Sequence, residues 1–244
     1  MIFSAGLLLV TCGIVFITVL LVKVFNYKQQ AKCKVNTLQD DSSPAAVVEP
    51  EVLIVGAGVV GSALAAVLGR EGRNVVLLER DMSEPDRILG ELLQPGGFHA
   101  LQELGLEAAL DGIEAEAMHG YVVHDLHTGS NVVLHYPKDA EGRVQAGRAF
   151  HHGRFIAGLR REAQKQETVT VIEATATRLI EEHGVIVGVQ YKAKDGEGTQ
   201  HLRASLTVVA DGCFSRLRRS LVNESVVVSS HFVGVLMESC PQFQ

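Results

Sequence analysis

Residues 51–80 read EVLIVGAGVVGSALAAVLGREGRNVVLLER, and few folds can accept that order. EVLIV is a short continuous apolar run, as a strand buried on both faces requires. GVVGSALAAVLGREG is a small-residue helix closed by Gly72, and NVVLLE is a second buried strand. Together they make a βαβ unit, which predicts a parallel sheet, because parallel neighbours need a crossover rather than a hairpin. Gly56, Gly58 and Gly61 stand at the first strand-to-helix junction in the pattern G-x-G-x-x-G. There the first glycine permits a tight turn, the second lets backbone approach a pyrophosphate, and the third lets helix and strand pack closely. The free N–H groups of the helix start favour an anion. Glu79 ends the second strand, eighteen residues past Gly61, where a carboxylate accepts a ribose hydroxyl. An acid there disfavours a 2′-phosphate, so the pocket is expected to prefer FAD or NAD over NADP.

The chain has 244 residues, 47% of them hydrophobic, and a net charge of -6. It is long enough for one good-sized core. No nucleic-acid partner is expected, since that would call for a basic face. Cys12, Cys33, Cys213 and Cys240 are scattered without CxxC spacing, which suggests neither a zinc site nor a disulfide framework and agrees with a reducing compartment. Residues 5–25, AGLLLVTCGIVFITVLLVKVF, carry a single charge, Lys23, and are about as long as a helix needs to cross hydrocarbon. Residues 1–25 are therefore expected to form a membrane anchor, because they lack the basic start and cleavage site of a secretory signal. Lys23, Lys28, Lys32 and Lys34 crowd its C-terminal flank, and by the positive-inside tendency this puts the rest of the chain in the cytosol. Residues 26–50 are polar and irregular and read as a tether.

Residues 51–224 are expected to fold as one α/β domain. QPGGFHALQELGL reads as a helix opened by Pro95, and GYVVHDL and NVVLHYP flank HTGS as a hairpin over 119–136. HHGRFIAGLRREAQKQ reads as an amphipathic helix with Phe155, Ile156 and Leu159 on one face and Arg154, Arg160 and Arg161 elsewhere. His151 and His152 point about 100° apart on a helix, with no third ligand spaced nearby, so no metal site is expected. TVTVIEATATRLIEE, GVIVGVQYKA and QHLRASLTVVA read as short β runs with a turn at KDGEG, the last ending in a buried strand at 206–210. Asp211-Gly212 follows that strand and brings a second carboxylate to the edge where doubly wound sheets bind ligands. The acid, the glycines and the strands leave FAD and NAD both open, and with them a flavin enzyme, an NAD-dependent oxidoreductase or a non-catalytic binder.

GAGVVGSALA, ERD…EPDRILGELLQPGG, GRAFHHGRF and LTVVADG.FS…R.SLV…VSSHFVG resemble the amino-terminal half of the squalene monooxygenase (squalene epoxidase) family, membrane-bound flavoproteins of sterol synthesis. The resemblance runs from Glu51 to Gln244. It implies a three-layer FAD-binding domain of flavin monooxygenase type, with FAD as cofactor. It also implies NADPH acting through a partner, NADPH-cytochrome P450 reductase, and squalene converted with O2 to (S)-2,3-epoxysqualene at the cytosolic face of the endoplasmic reticulum membrane, in contact with lipid. By position it assigns flavin contacts to Val59, Val60, Glu79, Arg80, Arg87, Arg160 and the backbone near Ala176. Arg80, Arg87 and Arg160 are expected to offset or fork onto phosphate charge. Asp211 matches a residue that bridges flavin and nicotinamide chemistry, and Tyr121 one near the substrate pocket. The family continues past the place where this sequence stops, into a substrate domain carrying a second flavin motif. Residues 225–244 are accordingly expected to begin that domain with a first strand, in a truncated chain.

Overall fold

The computed structural model describes residues 49–194, 198–223, 227–231, 233, 238 and 239. The expected anchor, nearly all of the tether and the middle of the KDGEG turn lie outside the described residues. Among the described residues no helix is long and apolar enough to cross a membrane. The boundary between the two units of the chain falls between Val47 and Val48, a few residues ahead of the expected start at Glu51.

Strand β1 (Val52–Val55) leads through helix α1 (Val59–Arg70) to β2 (Val75–Glu79). These strands carry no polar alternation because both of their faces are covered. The later strands of the main sheet are β8 (Val169–Glu182), β9 (Val185–Ala193), β10 (Gln200–Arg203) and β11 (Leu206–Val209). The strand order is β10-β9-β8-β2-β1-β11. β8, β2, β1 and β11 run parallel, as the crossover requires, whereas β9 and β10 return antiparallel.

β8 belongs to both parts of the sheet. Val169 to Glu173 pair with β2, and Ala174 onward pair with β9. The β8–β9 ladder slips once between Ala176 and Arg178, leaving Thr177 extra on β8. It slips back between Ile180 and Glu181, leaving Val187 extra on β9. Such bulges bend and twist a strand, and here they carry β9 away from the plane of the parallel strands. TVTVIEATATRLIEE, expected as a short run, forms one strand of 14 residues, and QHLRASLTVVA divides into β10 and β11.

Side chains alternating along β1 and β2 feed two separate cores. Val52, Ile54, Val75 and Leu77 pack with Ala65, Phe155 and Leu159 on the helical side. Leu53, Val55, Val76 and Leu78 pack with Leu179, Val189 and Tyr191 of β8 and β9 on the other. The result is the expected three layers: helices, parallel strands, and an antiparallel meander. β11 is corrected from a buried to an edge strand, with Leu206 49% exposed, because among the described residues β1 is its one neighbour in the sheet.

Helix α2 (Pro95–Glu103) opens on Pro95, whose missing N–H costs nothing at a helix start. Helix α3 (His152–Gln164) buries Phe155, Ile156, Leu159 and Ala163. A small antiparallel sheet of β3 (Leu92–Leu93), β7 (Gly147–Ala149) and β4 (Glu116–Met118) escapes sequence reading, since strands this short show no period. The expected hairpin is present as β5 (Gly120–His124) and β6 (Asn131–His135). Both of its faces are apolar and open, with Val122, Val123, Val132 and Val133 all more than half exposed. A single helical turn, α4 (Arg218–Leu221), follows β11. The strand expected within 225–244 is not seen among the residues described there, which belong to no strand.

Helix α3 approaches the segment Glu107–Leu110 so closely that a Cβ on Gly158 would lie 2.0 Å from the backbone oxygen of Ala109. Gly158→Ala is therefore expected to cost about 1–3 kcal/mol, as overpacking does. For a domain of this size that lowers Tm by roughly 2–12 °C. A Cβ on Gly96 meets nothing within 4 Å, so thermal unfolding of Gly96→Ala should show little or no loss.

Candidate functional site

A cleft of about 780 Å³ opens at the carboxyl ends of β1, β2 and β11 and at the point on β8 where its parallel pairing ends, the edge where doubly wound sheets take ligands. Gly56, Gly58, Val59, Glu79, Arg80, Arg87, Arg160, Ala176 and Asp211 all line it. Nine of the residues singled out in the sequence thus come together although they span more than half of the chain. Val60, 66% exposed, and Gly61 are not among the lining residues. Tyr121 is not either: it lies on the hairpin, where Gln94 Nε2 donates to its hydroxyl at 3.0 Å and its ring stands edge-on to Tyr136.

The glycine turn has a stringent geometry. A Cβ on Gly61 would fall 1.8 Å from the Gly56 oxygen, and one on Gly56, at φ +103°, would fall 2.5 Å from the Ala210 oxygen. At Gly58, by contrast, a Cβ would meet nothing within 4 Å, so this glycine keeps open space rather than relieving a clash within the protein. Gly58 is also the N-cap of α1, with no side-chain cap and no acid in the first turn. Its first N–H groups and the positive end of its dipole are left for an anion.

Glu79, at the end of β2, accepts the Ala57 N–H at 2.6 Å through Oε2 and the Asp81 N–H at 3.2 Å through Oε1. Each carboxylate oxygen keeps a further lone-pair direction for a hydroxyl. Arg160 is corrected from the polar side of α3 to the buried side, at 6% exposure. Its Nε donates to Ala57 O and its Nη1 to Ser83 O, both at 2.9 Å, and its Nη2 stands 3.8 Å from Glu79 Oε2. These partners are what permit a guanidinium to sit among Phe155, Ile156 and Leu159. Arg161 is the solvent-side neighbour, reaching Ala108 O and Asp111 O.

Sequence reading missed Asp81, Ser83, Asp86 and Arg216, which also line the cleft, and gave His152, another lining residue, a structural role alone. Their signal was adjacency to Glu79, Arg87 and Asp211, which becomes informative only once the loops are folded back. Asp81 is held below the usual carboxylate range by Ser83, through its side chain and its N–H. Glu173, paired in register with Glu79, is lowered by Lys194 at 2.6 Å and by the Met82 N–H. His151 stands 3.8 Å from Glu91 and His152 3.5 Å from Gly90 O, so both sit in contacts near the start of α3.

Residues 49–243 match the family model for the FAD binding domain. The chain is 54% identical to squalene monooxygenase of Mus musculus over 202 residues, which is 83% of this chain and 35% of that protein. It is 50% identical to squalene epoxidase 3 of Arabidopsis thaliana over 190 residues, 78% of this chain and 36% of that one. It therefore spans about a third of the length of these relatives, where the resemblance had suggested half. Among solved structures, PqsL of P. aeruginosa in complex with 2-aminobenzoylacetate matches with a TM-score of 0.61 at 25% identity, over 75% of this chain and 48% of that one. The myxobacterial FAD-dependent halogenase CndH shares the fold, with a TM-score of 0.62 at 22% identity, over 70% and 39%.

The cradle fits FAD: Gly58 leaves a space that a methyl group would fill, and Glu79 stands beside it. Gly58→Ala should therefore leave thermal stability near that of the wild type while weakening FAD binding, whereas Gly61→Ala should lose stability first. Glu79→Ala removes a charged acceptor, and hydrogen bonds to charged groups contribute roughly 1.5–3 kcal/mol. The expected fall in FAD affinity, read by flavin fluorescence titration, is about 10- to 150-fold. Unchanged affinity in both Gly58→Ala and Glu79→Ala would mean that the cradle is elsewhere.

Proposed function

The chain belongs to the FAD binding domain family, and from that premise we propose that it forms the cofactor-holding part of a squalene monooxygenase. Such an enzyme converts squalene to (S)-2,3-epoxysqualene with O2 and electrons from NADPH passed on by a reductase. The observation that carries this reading is 54% identity to a squalene monooxygenase over 83% of this chain. FAD, when bound, supplies the redox and oxygen chemistry, while the protein supplies binding, orientation and dryness.

In this reading Glu79 accepts a ribose hydroxyl and the start of α1 faces the pyrophosphate. Arg80 and Arg87 offset its negative charge, and the backbone near Ala176 lines the cleft on β8, the neighbour of β2. Asp211 presents a carboxylate from the end of β11, close to where reducing equivalents must arrive. Tyr121, held by Gln94 and Tyr136 on the apolar hairpin, meets the hydrocarbon outside the nucleotide cleft. Residues 5–25 hold the domain at the cytosolic face of the endoplasmic reticulum membrane, in contact with lipid. Squalene dissolves in bilayers, and an anchored enzyme meets it there at high local concentration.

Two measurements test this reading. A chimera carries residues 49–223 in place of the matching segment of the mouse squalene monooxygenase. It should bind FAD and form squalene epoxide from squalene, NADPH and reductase. A chimera that binds FAD and yields no epoxide would sink the substrate assignment. For the anchor, protease added outside intact microsomes should digest the domain that follows residue 50, and protection of that domain would reverse the orientation.

A further inference from the structure

The buried arginine of α3 is tied to backbone on two sides of the cleft before any ligand arrives, through Nε to Ala57 O and Nη1 to Ser83 O. Glu79 takes the N–H of Ala57 and Arg160 takes its carbonyl, so the two peptide planes on either side of Ala57 Cα are both fixed. In a trans peptide the N–H lies opposite the C=O. The hold on Ala57 O therefore also sets which way the Gly58 N–H faces. The same guanidinium reaches the second wall of the cleft through Ser83 O. Two turns earlier, Gly153 lets α3 approach that wall directly, since a Cβ there would lie 2.3 Å from Pro85 O. Residues 153 and 160 share one helical face, so α3 touches the 83–85 segment at Gly153 and ties it to the glycine turn at Arg160. Both members of the Arg160–Glu79 pair are largely out of water, with side chains 7% and 14% exposed.

We infer that Arg160 is a positioning residue, which sets the spacing of the glycine turn and the 83–85 segment by holding a carbonyl of each. The inference rests on the nucleotide cleft and not on squalene, so failed epoxidation would leave it standing. Lysine keeps the charge at this position, but a single ammonium group cannot reproduce the planar fork that spans two carbonyls.

The test compares adenosine with ADP on the full chain in detergent micelles, for the wild type and Arg160→Lys. A positioning role weakens both ligands together, by about tenfold or more, because the turn and the ribose acid are displaced alike. A phosphate-binding role weakens ADP and leaves adenosine unchanged, and that result overturns the inference, as does unchanged binding of both. A measurement on the wild type guards against a variant that fails to fold. The Arg160 Nε–H resonance, in an arginine-labelled NMR spectrum, should be protected from exchange in the free protein and should keep its shift when ADP is added. A shift produced by ADP and not by adenosine would assign the guanidinium to phosphate. If the wild type binds neither nucleotide nor FAD, the cofactor reading falls and this inference falls with it.

Discussion

The Gly56 carbonyl occupies the place where a side chain at position 61 would begin, 1.8 Å from where its Cβ would stand. Helix α1 can therefore start directly on the turn that ends β1, and no residue but glycine allows it. From this contact the rest follows in order. The helix lies close over β1 and β2, its small residues Ala65 and Ala66 reach zero or near-zero exposure, and its first turn opens beside the cleft. A bulkier junction would lift the helix, open the helical core and remove the N-terminus from the ligand. One steric constraint sets both the packing and the anion-binding end.

Buried ion pairs contribute little net stability, because desolvating two charges offsets their attraction. The Arg160–Glu79 pair fits that rule poorly as a stabiliser and well as a fixture. Each partner spends hydrogen bonds on backbone groups of loops that carry no regular structure of their own: the glycine turn, the Asp81 amide and the Ser83 carbonyl. Loops have few internal reasons to hold one shape, and a charged side chain anchored on a rigid helix supplies one from outside. The arrangement gives the cleft a shape before a ligand enters, which lowers the ordering cost of binding.

What the sequence made legible was whatever repeats a local rule. The apolar runs at 51–55 and 75–79 and the glycine turn each state their structural place within a few residues, and the fold honours it, with Glu79 lining the cleft at the end of β2. The hairpin around HTGS and the helix opened by Pro95 were legible for the same reason. Arg160 was not. Periodicity put it with Arg154 and Arg161 on a polar face, and only the carbonyls of Ala57 and Ser83, 103 and 77 residues away, explain its burial. Leu206 misled in the opposite sense, because an apolar strand at a sheet edge has the composition of a central one. The separate paths of β8 through a parallel and an antiparallel partner were also hidden, since the residues do not announce the direction of a neighbour.

The two slips in the β8–β9 ladder cancel, since Thr177 is extra on one strand and Val187 on the other. Between them the strands run one residue out of phase with their ends, and the inward-facing set shifts from Ala174 and Ala176 to Leu179. Side chains alternate with a period of two, so a length change in one strand alone would turn the core positions beyond it outward. A matched change in both strands would not. The meander therefore tolerates insertions and deletions as balanced pairs, and the lineage of such a chain should record gains in one strand answered by gains in the other.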